Sequence, residues 1–143
     1  MTDGEAFVAM DRILDESRLG PLYLSMPDVA RVVVEAIEYR HLQQYELHGY
    51  VVMPNHVHLL VTPSIEVPKL TQSLKRHTAR QANLIMGLTG RTFWQDESYD
   101  RLVRDRDELQ RVIRYIDNNP VRAGLAPRPD AFPWSSAGRG GAG

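Results

Sequence analysis

The segment GYVVMPNHVHLLVTP at residues 49–63 constrains the fold most, because two apolar runs of strand length lie on either side of a two-residue break. Apolar residues recur with a period of two over 45–53, and a second such run covers 56–62. Pro54 and Asn55 separate the runs, and both residue types are typical of turns. The sequence therefore predicts an antiparallel hairpin of two strands.

Two histidines, His56 and His58, occupy alternate positions of the second predicted strand. Because successive side chains of a strand point to opposite faces, both imidazoles share one face and lie about 7 Å apart along the strand. At that separation the two rings are able to bind one divalent ion. Two hydrogen-bonded histidines on a sheet face have the same spacing, and the spacing alone favours this structural interpretation, since short motif matches are mostly accidental.

Helices are predicted on both sides of the hairpin. A first helix begins at Thr2, which has capping-box spacing with Glu5, and it stops at Gly20. A second covers 28–44, with apolar residues wide enough to cover a sheet. A third covers 67–87 and is closed by its terminal glycine. This alternation of helices and strands predicts a mixed α and β domain.

The last predicted helix begins at Asp105 and ends near Asn119, because Pro120 follows it. Residues 99–103, YDRLV, precede it and are predicted to be extended. Tyr115 lies on the flank of the apolar arc of this helix. Asn119, one turn after it, and Arg111, one turn before it, are compatible with an anion-binding site. A helix edge with a partly buried aromatic ring has the same pattern, and the spacing alone favours this structural interpretation.

The chain has 143 residues, of which 43% are apolar, as in a single globular domain. We predict one domain over 1–136 and a disordered, glycine-rich tail over 137–143. The N-terminal segment has acids throughout and no long apolar run, which excludes a signal peptide or membrane span and predicts a cytoplasmic protein. Because there is no cysteine, disulfides and thiolate metal sites are excluded.

Charge is distributed unevenly along the chain. Residues 1–48 carry four arginines and nine acids, whereas residues 49–143 carry thirteen lysines and arginines and nine acids. The mildly basic C-terminal region permits binding to a phosphate backbone but does not by itself predict it.

Five ordered motifs resemble those of one protein family. They are YVVMPNHVHLLVTP, LKRHTARQAN, FWQDESYDRLVR, YIDNNPVRAGL and FPWSS, within about 22–136. Their order and separation resemble the single-tyrosine HUH transposases, in which two histidines flank a hydrophobic residue, and specifically the REP-associated tyrosine transposase branch. The resemblance implies a ferredoxin-like α+β fold, a two-layer sandwich whose central antiparallel sheet carries the histidines and has helices on one face.

The resemblance also implies the chemistry. His56 and His58 would be metal ligands, and Tyr115 would be the nucleophile that forms a 5′-phosphotyrosine with single-stranded or hairpin DNA. Asn119 is at the position of a polar third ligand, where many relatives have glutamine. The implied cofactor is Mg²⁺ or Mn²⁺; two nitrogens and one oxygen suit Mn²⁺ better, and Mg²⁺ is more abundant.

Single strands are bound by basic tracks and by aromatic stacking surfaces. The candidates for these two roles are Lys75, Arg76, His77, Arg80, Arg101, Arg104 and Arg111 for the track, and Phe93, Trp94 and Tyr99 for stacking. A solvated helix face is the more frequent explanation for the basic residues of 67–87, and a packing role explains Trp94 equally well.

The start of the chain departs from the family pattern. Members commonly begin with a strand of the central sheet, whereas residues 1–20 predict a helix, so we expect this strand to be missing through a truncated start. A missing strand would expose a sheet edge beside the histidines, which favours a homodimer. Two other functions stay open: a decayed or domesticated protein that binds hairpin DNA without cutting it, and an unrelated metal-dependent hydrolase in which Tyr115 is incidental.

Overall fold

The computed structural model describes residues 7–13, 24, 26–95 and 99–139, which form a four-stranded antiparallel sheet with three α-helices. The elements are β1 (Phe7–Ile13), α1 (Pro27–Tyr39), β2 (Tyr45–Val52), β3 (His56–Pro63), α2 (Val67–Met86), β4 (Tyr99–Val103) and α3 (Arg106–Arg122), with a 3-10 helix at Pro129–Ala131. The strand order is β2-β3-β1-β4. Together with the succession βαββαβ this is a ferredoxin-like arrangement, so the predicted α+β class and central antiparallel sheet are confirmed.

The central strand β1 lies where the sequence predicted a helix. Phe7 packs in the core on one face of the sheet, and Val8 and Met10 pack in the core on the other face. A strand that is covered on both faces has apolar residues at consecutive positions and lacks the alternation of a half-exposed strand. The predicted first helix is therefore wrong over 7–13, and its other residues, 2–6 and 14–20, lie outside the described residues.

β1 also occupies the place of the strand that we expected to be missing. It pairs antiparallel with β3, where Met10 is opposite Leu59, and with β4, where Val8 is opposite Leu102. The strand that carries the histidines therefore has a neighbour on each side. The predicted exposed edge beside it is wrong, and the reason for expecting a homodimer is removed with it.

The helices cover both faces of the sheet. α1 and α2 pack on one face in a first core, to which they contribute Val33 and Leu70. α3 packs on the other face in a second core, where its Ile116 joins Val51 and Leu60 of the sheet. The predicted two-layer arrangement with helices on one face is therefore wrong for α3. The second face is apolar as well and requires its own cover.

The predicted hairpin is confirmed. β2 and β3 pair antiparallel, and the turn between them is closed by a hydrogen bond of 2.8 Å from the Met53 N–H to the His56 carbonyl. α2 ends as predicted at Gly87, whose φ of 69° is in the left-handed region that glycine adopts without strain.

Two helix ends differ from the prediction. α1 ends at Tyr39, and the chain turns away before residue 44. α3 continues past Pro120 to Arg122, because hydrogen bonds at Gly124 close the turn that follows the proline. Across the described ranges, no helix is both long and apolar enough to cross a membrane.

The C-terminal segment packs along the outer side of β2. The Ser136 N–H donates a hydrogen bond of 3.0 Å to the Tyr50 carbonyl, and the Arg139 guanidinium lies 3.0 Å from the Glu38 carboxylate. The same carboxylate accepts a hydrogen bond of 2.5 Å from the Tyr50 hydroxyl. The domain therefore extends past its predicted end at residue 136, while residues 140–143 of the predicted tail lie outside the described residues.

Met10→Ala is expected to lower the free energy of unfolding by about 2–5 kcal/mol, because truncation of a core side chain leaves a cavity. Met10 is only 1% exposed, whereas Met26 is 40% exposed, so Met26→Ala is a matched control that should cost less than about 1 kcal/mol. Urea denaturation followed by circular dichroism measures both costs. Small and equal costs would contradict the central position of β1.

Candidate active site

The two histidines of β3 point to the face that α3 covers. Val57 and Leu59 lie in the first core, and Leu60 lies in the second core. His56 and His58 alternate with the first pair and therefore share the face of Leu60, as predicted. Their ring centroids are 4.6 Å apart, with an angle of 80° between the planes, so the rings are closer than the strand spacing alone implies.

α3 brings Tyr115 to this pair. The N-cap of the helix is Asp105, whose carboxylate accepts a hydrogen bond of 2.8 Å from the Glu108 N–H in the first turn, which confirms the predicted cap. Val112 and Ile116 are buried against the sheet, which leaves Tyr115 on the flank and 52% exposed. The centroid of its ring is 5.6 Å from that of His58. Two residues that are distant in the sequence therefore meet.

A cleft of about 420 Å³ lies beside Tyr115, between α3 and the sheet. Its polar lining is formed by His58, Arg101, Glu108, Arg111 and Tyr115. Glu108 forms an ion pair with Arg101 and is mostly buried, with 20% of its side chain exposed. The carboxylate therefore holds this guanidinium at the cleft. The lining combines a phenol, an imidazole, one carboxylate and two guanidinium groups. The guanidinium groups outnumber the carboxylate, and their planar donors are well suited to bind an anion.

Arg122 makes two contacts with Tyr115 that the sequence did not predict. Its guanidinium carbon lies 4.4 Å from the centroid of the Tyr115 ring, and its Nη2 donates a hydrogen bond of 3.1 Å to the Tyr115 carbonyl. A separation of seven residues places two side chains on the same side of a helix, two turns apart, and this spacing was the available signal. The Tyr115 ring thus contacts both His58 and Arg122.

The histidine pair fits a divalent metal ion in its donor chemistry. His56 Nδ1 lies 2.7 Å from Asn55 Oδ1. Because an amide oxygen only accepts, Nδ1 is the donor in this contact, which is the arrangement of a histidine ligand oriented by a second residue. Among the described residues, no group of three His, Cys, Asp or Glu side chains could hold a metal ion. Within the described part of the chain, a third ligand would therefore be an amide or water.

Asn119 is the amide that the sequence predicted for this role. It lies one turn after Tyr115 on α3 and is only 9% exposed. Of the described residues, neither Asn119 nor His56 lines the cleft itself. The role of Asn119 as the third metal ligand stays a prediction.

The predicted DNA-binding cations divide between the two faces of the sheet. Arg101 and Arg111 line the cleft, and Arg104 is close to it through its backbone N–H, which donates a hydrogen bond of 3.5 Å to Glu108. On α2, across the sheet, are Lys75, Arg76, His77 and Arg80. The structure therefore brings only the first group to the histidines and Tyr115.

The predicted stacking surface is wrong for two of its residues. Phe93 and Trp94 are 1% and 6% exposed and belong to the first core. The Trp94 indole N–H donates a hydrogen bond of 2.9 Å to the Thr78 hydroxyl. Both rings are packing residues, because a buried ring has no face available to a base. The side chain of Tyr99, the third candidate, lies outside the described part of the chain.

A family model described as IS200-like transposase matches residues 28–119, which is more than half of the chain. The chain belongs to the IS200-like transposase family. The matched region contains both histidines, Tyr115 and Asn119. A comparison with curated proteins finds no match.

Two solved structures share the fold of this IS200-like transposase. A REP-associated tyrosine transposase bound to a REP hairpin is 19% identical, with a TM-score of 0.71 over 94% of this chain and 78% of that chain. A candidate transposase from Deinococcus radiodurans R1 is 20% identical, with a TM-score of 0.55 over 82% of this chain and 97% of that chain. The predicted transposase family is confirmed by the family model and the predicted ferredoxin-like fold by these structures, while the REP-associated branch stays a prediction.

Proposed function

We propose that this IS200-like transposase is a metal-dependent DNA strand transferase that cuts single-stranded DNA through a covalent bond to Tyr115. The observation that carries the proposal is the contact between the Tyr115 and His58 rings at a cleft with two arginines. A half-exposed tyrosine is not required for packing, and a phenol beside a potential metal ligand and two cations is typical of a nucleophile for phosphodiesters.

The proposed reaction is a transesterification. The phenol oxygen of Tyr115 attacks the phosphorus of one phosphodiester, and the bond between phosphorus and the 3′ oxygen breaks as the new bond forms. The phenol loses its proton and the 3′ oxygen gains one, which leaves a 5′-phosphotyrosine and a free 3′-hydroxyl. Attack by another 3′-hydroxyl reverses these steps and rejoins the strand. No ATP is needed, because each bond broken to phosphorus is replaced by another.

The cations of the cleft hold the DNA strand in this reaction. Arg101 and Arg111 offer planar donors that match phosphate oxygens. Glu108 keeps the Arg101 guanidinium at the cleft through their ion pair. The position of the DNA strand relative to Tyr115 thus depends on residues from both β4 and α3.

His56, His58 and Asn119 are the residues that would hold the metal ion, Mg²⁺ or Mn²⁺. When bound, a divalent ion stabilises negative charge on a phosphate. Asn55 orients the His56 ring through its contact with Nδ1. The strand β3 keeps both rings on the side of Tyr115 because its alternate residues are anchored in the first core.

We assign the basic face of α2 to parts of the DNA away from the cut. The helix contains no acidic residue, and Lys69, Arg76 and Arg80 recur on one side of it. A groove of about 690 Å³ beside them is lined by Lys75, Arg76 and Arg91. The structural relative is bound to a REP hairpin, and a hairpin has a duplex stem as well as single-stranded ends. We therefore propose hairpin-containing DNA as the substrate, with contacts on both faces of the sheet.

The other functions have less support. A protein that binds hairpins without cutting them was favoured by the missing strand, but β1 occupies that place. A hydrolase in which Tyr115 is incidental leaves the contact between Tyr115 and His58 without a purpose.

Incubation of the protein with hairpin-containing single-stranded DNA from the flanks of its gene, with Mn²⁺ or Mg²⁺, tests the proposal. A covalent protein–DNA adduct on a denaturing gel is the expected result. Binding without an adduct in both metals would support the decayed protein, and cleavage without an adduct would support the hydrolase.

Loss of two charges from the basic face of α2 is expected to weaken DNA binding and its dependence on salt. In Arg76→Gln/Arg80→Gln, the slope of log K against log salt should fall in magnitude by about 1.4, since each lost phosphate contact on a single strand contributes about 0.7. The control Arg31→Gln/Arg128→Gln removes the same charge from other exposed positions. Fluorescence anisotropy across a salt series measures both. Equal slopes in the two double variants would contradict the assignment.

A further inference from the structure

We propose that Arg122 is a positioning residue that holds the Tyr115 ring in the orientation needed for attack, an inference that rests on the proposed function of Tyr115. One guanidinium makes both contacts. Its carbon lies 4.4 Å from the centroid of the Tyr115 ring, and its Nη2 donates a hydrogen bond of 3.1 Å to the Tyr115 carbonyl. The hydrogen bond fixes the guanidinium relative to the Tyr115 backbone, and the charge above the ring then fixes the side chain relative to the same backbone.

A half-exposed tyrosine needs such a restraint. Tyr115 is 52% exposed, so the core does not by itself select one of its staggered rotamers. The ring is in contact with His58 at one side and with Arg122 over its face. Loss of the Arg122 contact frees the ring to leave the histidines, and a nucleophile that is misplaced by about 1 Å reacts up to about 100-fold more slowly.

The end of α3 is built to place Arg122 where it makes these contacts. Gly124 has a φ of 75°, its N–H donates to the Val121 carbonyl at 3.0 Å, and the Leu125 N–H donates to the Pro120 carbonyl at 2.8 Å. These two bonds form a Schellman motif, which ends the helix one turn after the proline. The last turn therefore stays helical, and Arg122 reaches back toward the N-terminus, in the direction that helical side chains take.

This arrangement gives a physical role to the segment NPVRAGL. Pro120 and Gly124 do not contact Tyr115 in any described interaction; they define the turn from which Arg122 extends. In the last turn of a helix, an arginine is also favoured by the negative end of the helix dipole.

The first test is made without DNA or metal. In protein with ¹³C-labelled tyrosine rings, the Tyr115 resonance is identified by its loss in Tyr115→Phe. We expect it to shift in Arg122→Gln and to remain unchanged in Arg128→Gln, which removes the same charge from an exposed position. An unchanged Tyr115 resonance in Arg122→Gln would overturn the inference, whatever the activity of the protein. If the resonance shifts but the wild type forms no adduct, the contact holds and the proposed function fails.

The second test separates positioning from DNA binding. At saturating DNA and metal, Arg122→Gln should form the adduct about 10- to 100-fold more slowly, with a Kd for DNA close to that of the wild type. Arg122→Lys should recover part of the rate, because it keeps the charge but lacks the planar fork that makes both contacts. A wild-type rate in Arg122→Gln, or a loss confined to the Kd, would overturn the inference.

A third pair of variants reaches the same contact through the backbone. Gly124→Ala introduces a side chain at a positive φ that alanine adopts only with strain, whereas asparagine tolerates this conformation. No atom lies within 4 Å of the added Cβ, so only the backbone is affected. We expect Gly124→Ala to shift the Tyr115 resonance more than Gly124→Asn does. An equal or absent effect would count against the role of the helix end.

Discussion

Tyr115→Phe is expected to abolish the covalent adduct and to reduce strand transfer by at least about 10⁴-fold, the scale on which the loss of a nucleophile acts. Only the phenol oxygen is removed, and the aromatic ring that contacts His58 and Arg122 is kept. Because the side chain is 52% exposed, the free energy of unfolding should change by no more than about 0.5 kcal/mol. Denaturing gels and urea denaturation measure the two effects separately.

Tyr39→Phe is the matched control for this variant. Tyr39 is 70% exposed at the end of α1, on the other side of the sheet, so its hydroxyl should not contribute to the reaction. Cleavage that persists in Tyr115→Phe would show that another group attacks the phosphate. If both variants lose the adduct equally, the loss is a general effect of tyrosine substitution and does not identify Tyr115 as the nucleophile.

His58→Ala is expected to lower the rate of adduct formation by about 100-fold or more at a fixed concentration of Mn²⁺, because charge stabilisation by a bound divalent ion contributes several kcal/mol. Removal of metal from the wild type with EDTA should cause a loss of similar size, and excess Mn²⁺ should reverse only the second loss. Excess Mn²⁺ should not restore His58→Ala, because the two imidazoles lie 4.6 Å apart and the variant keeps only one of these two ligands.

Metal binding without DNA provides a second measurement for the same variant. Calorimetric titration with Mn²⁺ should detect one bound ion per wild-type chain. In His58→Ala, binding of this ion should be weaker or absent. His41→Gln is the control, because the His41 ring accepts a backbone hydrogen bond from Leu47, away from the cleft. Asn119→Ala should also weaken Mn²⁺ binding if Asn119 is the third ligand, as predicted. An adduct that forms at the same rate in EDTA would contradict the metal requirement.

Local patterns predicted the features of the fold whose signal is carried by residues at the feature itself. The β2–β3 hairpin was predicted from its alternation and from Pro54, and the end of α2 from Gly87. The start of α3 was predicted from Asp105, which does cap the helix. In each case the signal lies within a few residues of the feature, so no knowledge of the rest of the chain is needed.

The errors have the opposite cause. β1 is covered on both faces, and its apolar residues follow from neighbours in β3, β4 and α3 rather than from its own alternation. The continuation of α3 past Pro120 depends on the turn at Gly124. The position of α3 on the second face depends on apolar residues contributed by several strands. A stretch of sequence the length of one helix or strand does not contain the residues on which these features depend.

By itself, the sequence determined the order of the elements from α1 to α3, the shared face of His56 and His58, and, through its ordered motifs, the transposase family that the comparison confirmed. Only the tertiary structure decided that β1 lies beside the histidine strand, that Tyr115 meets His58, and that Arg122 covers its ring. The physical reason is the separation along the chain over which each signal acts. Periodicity and caps act between residues a few positions apart, whereas the cleft is formed by strands and a helix that meet only when both faces of the sheet are packed.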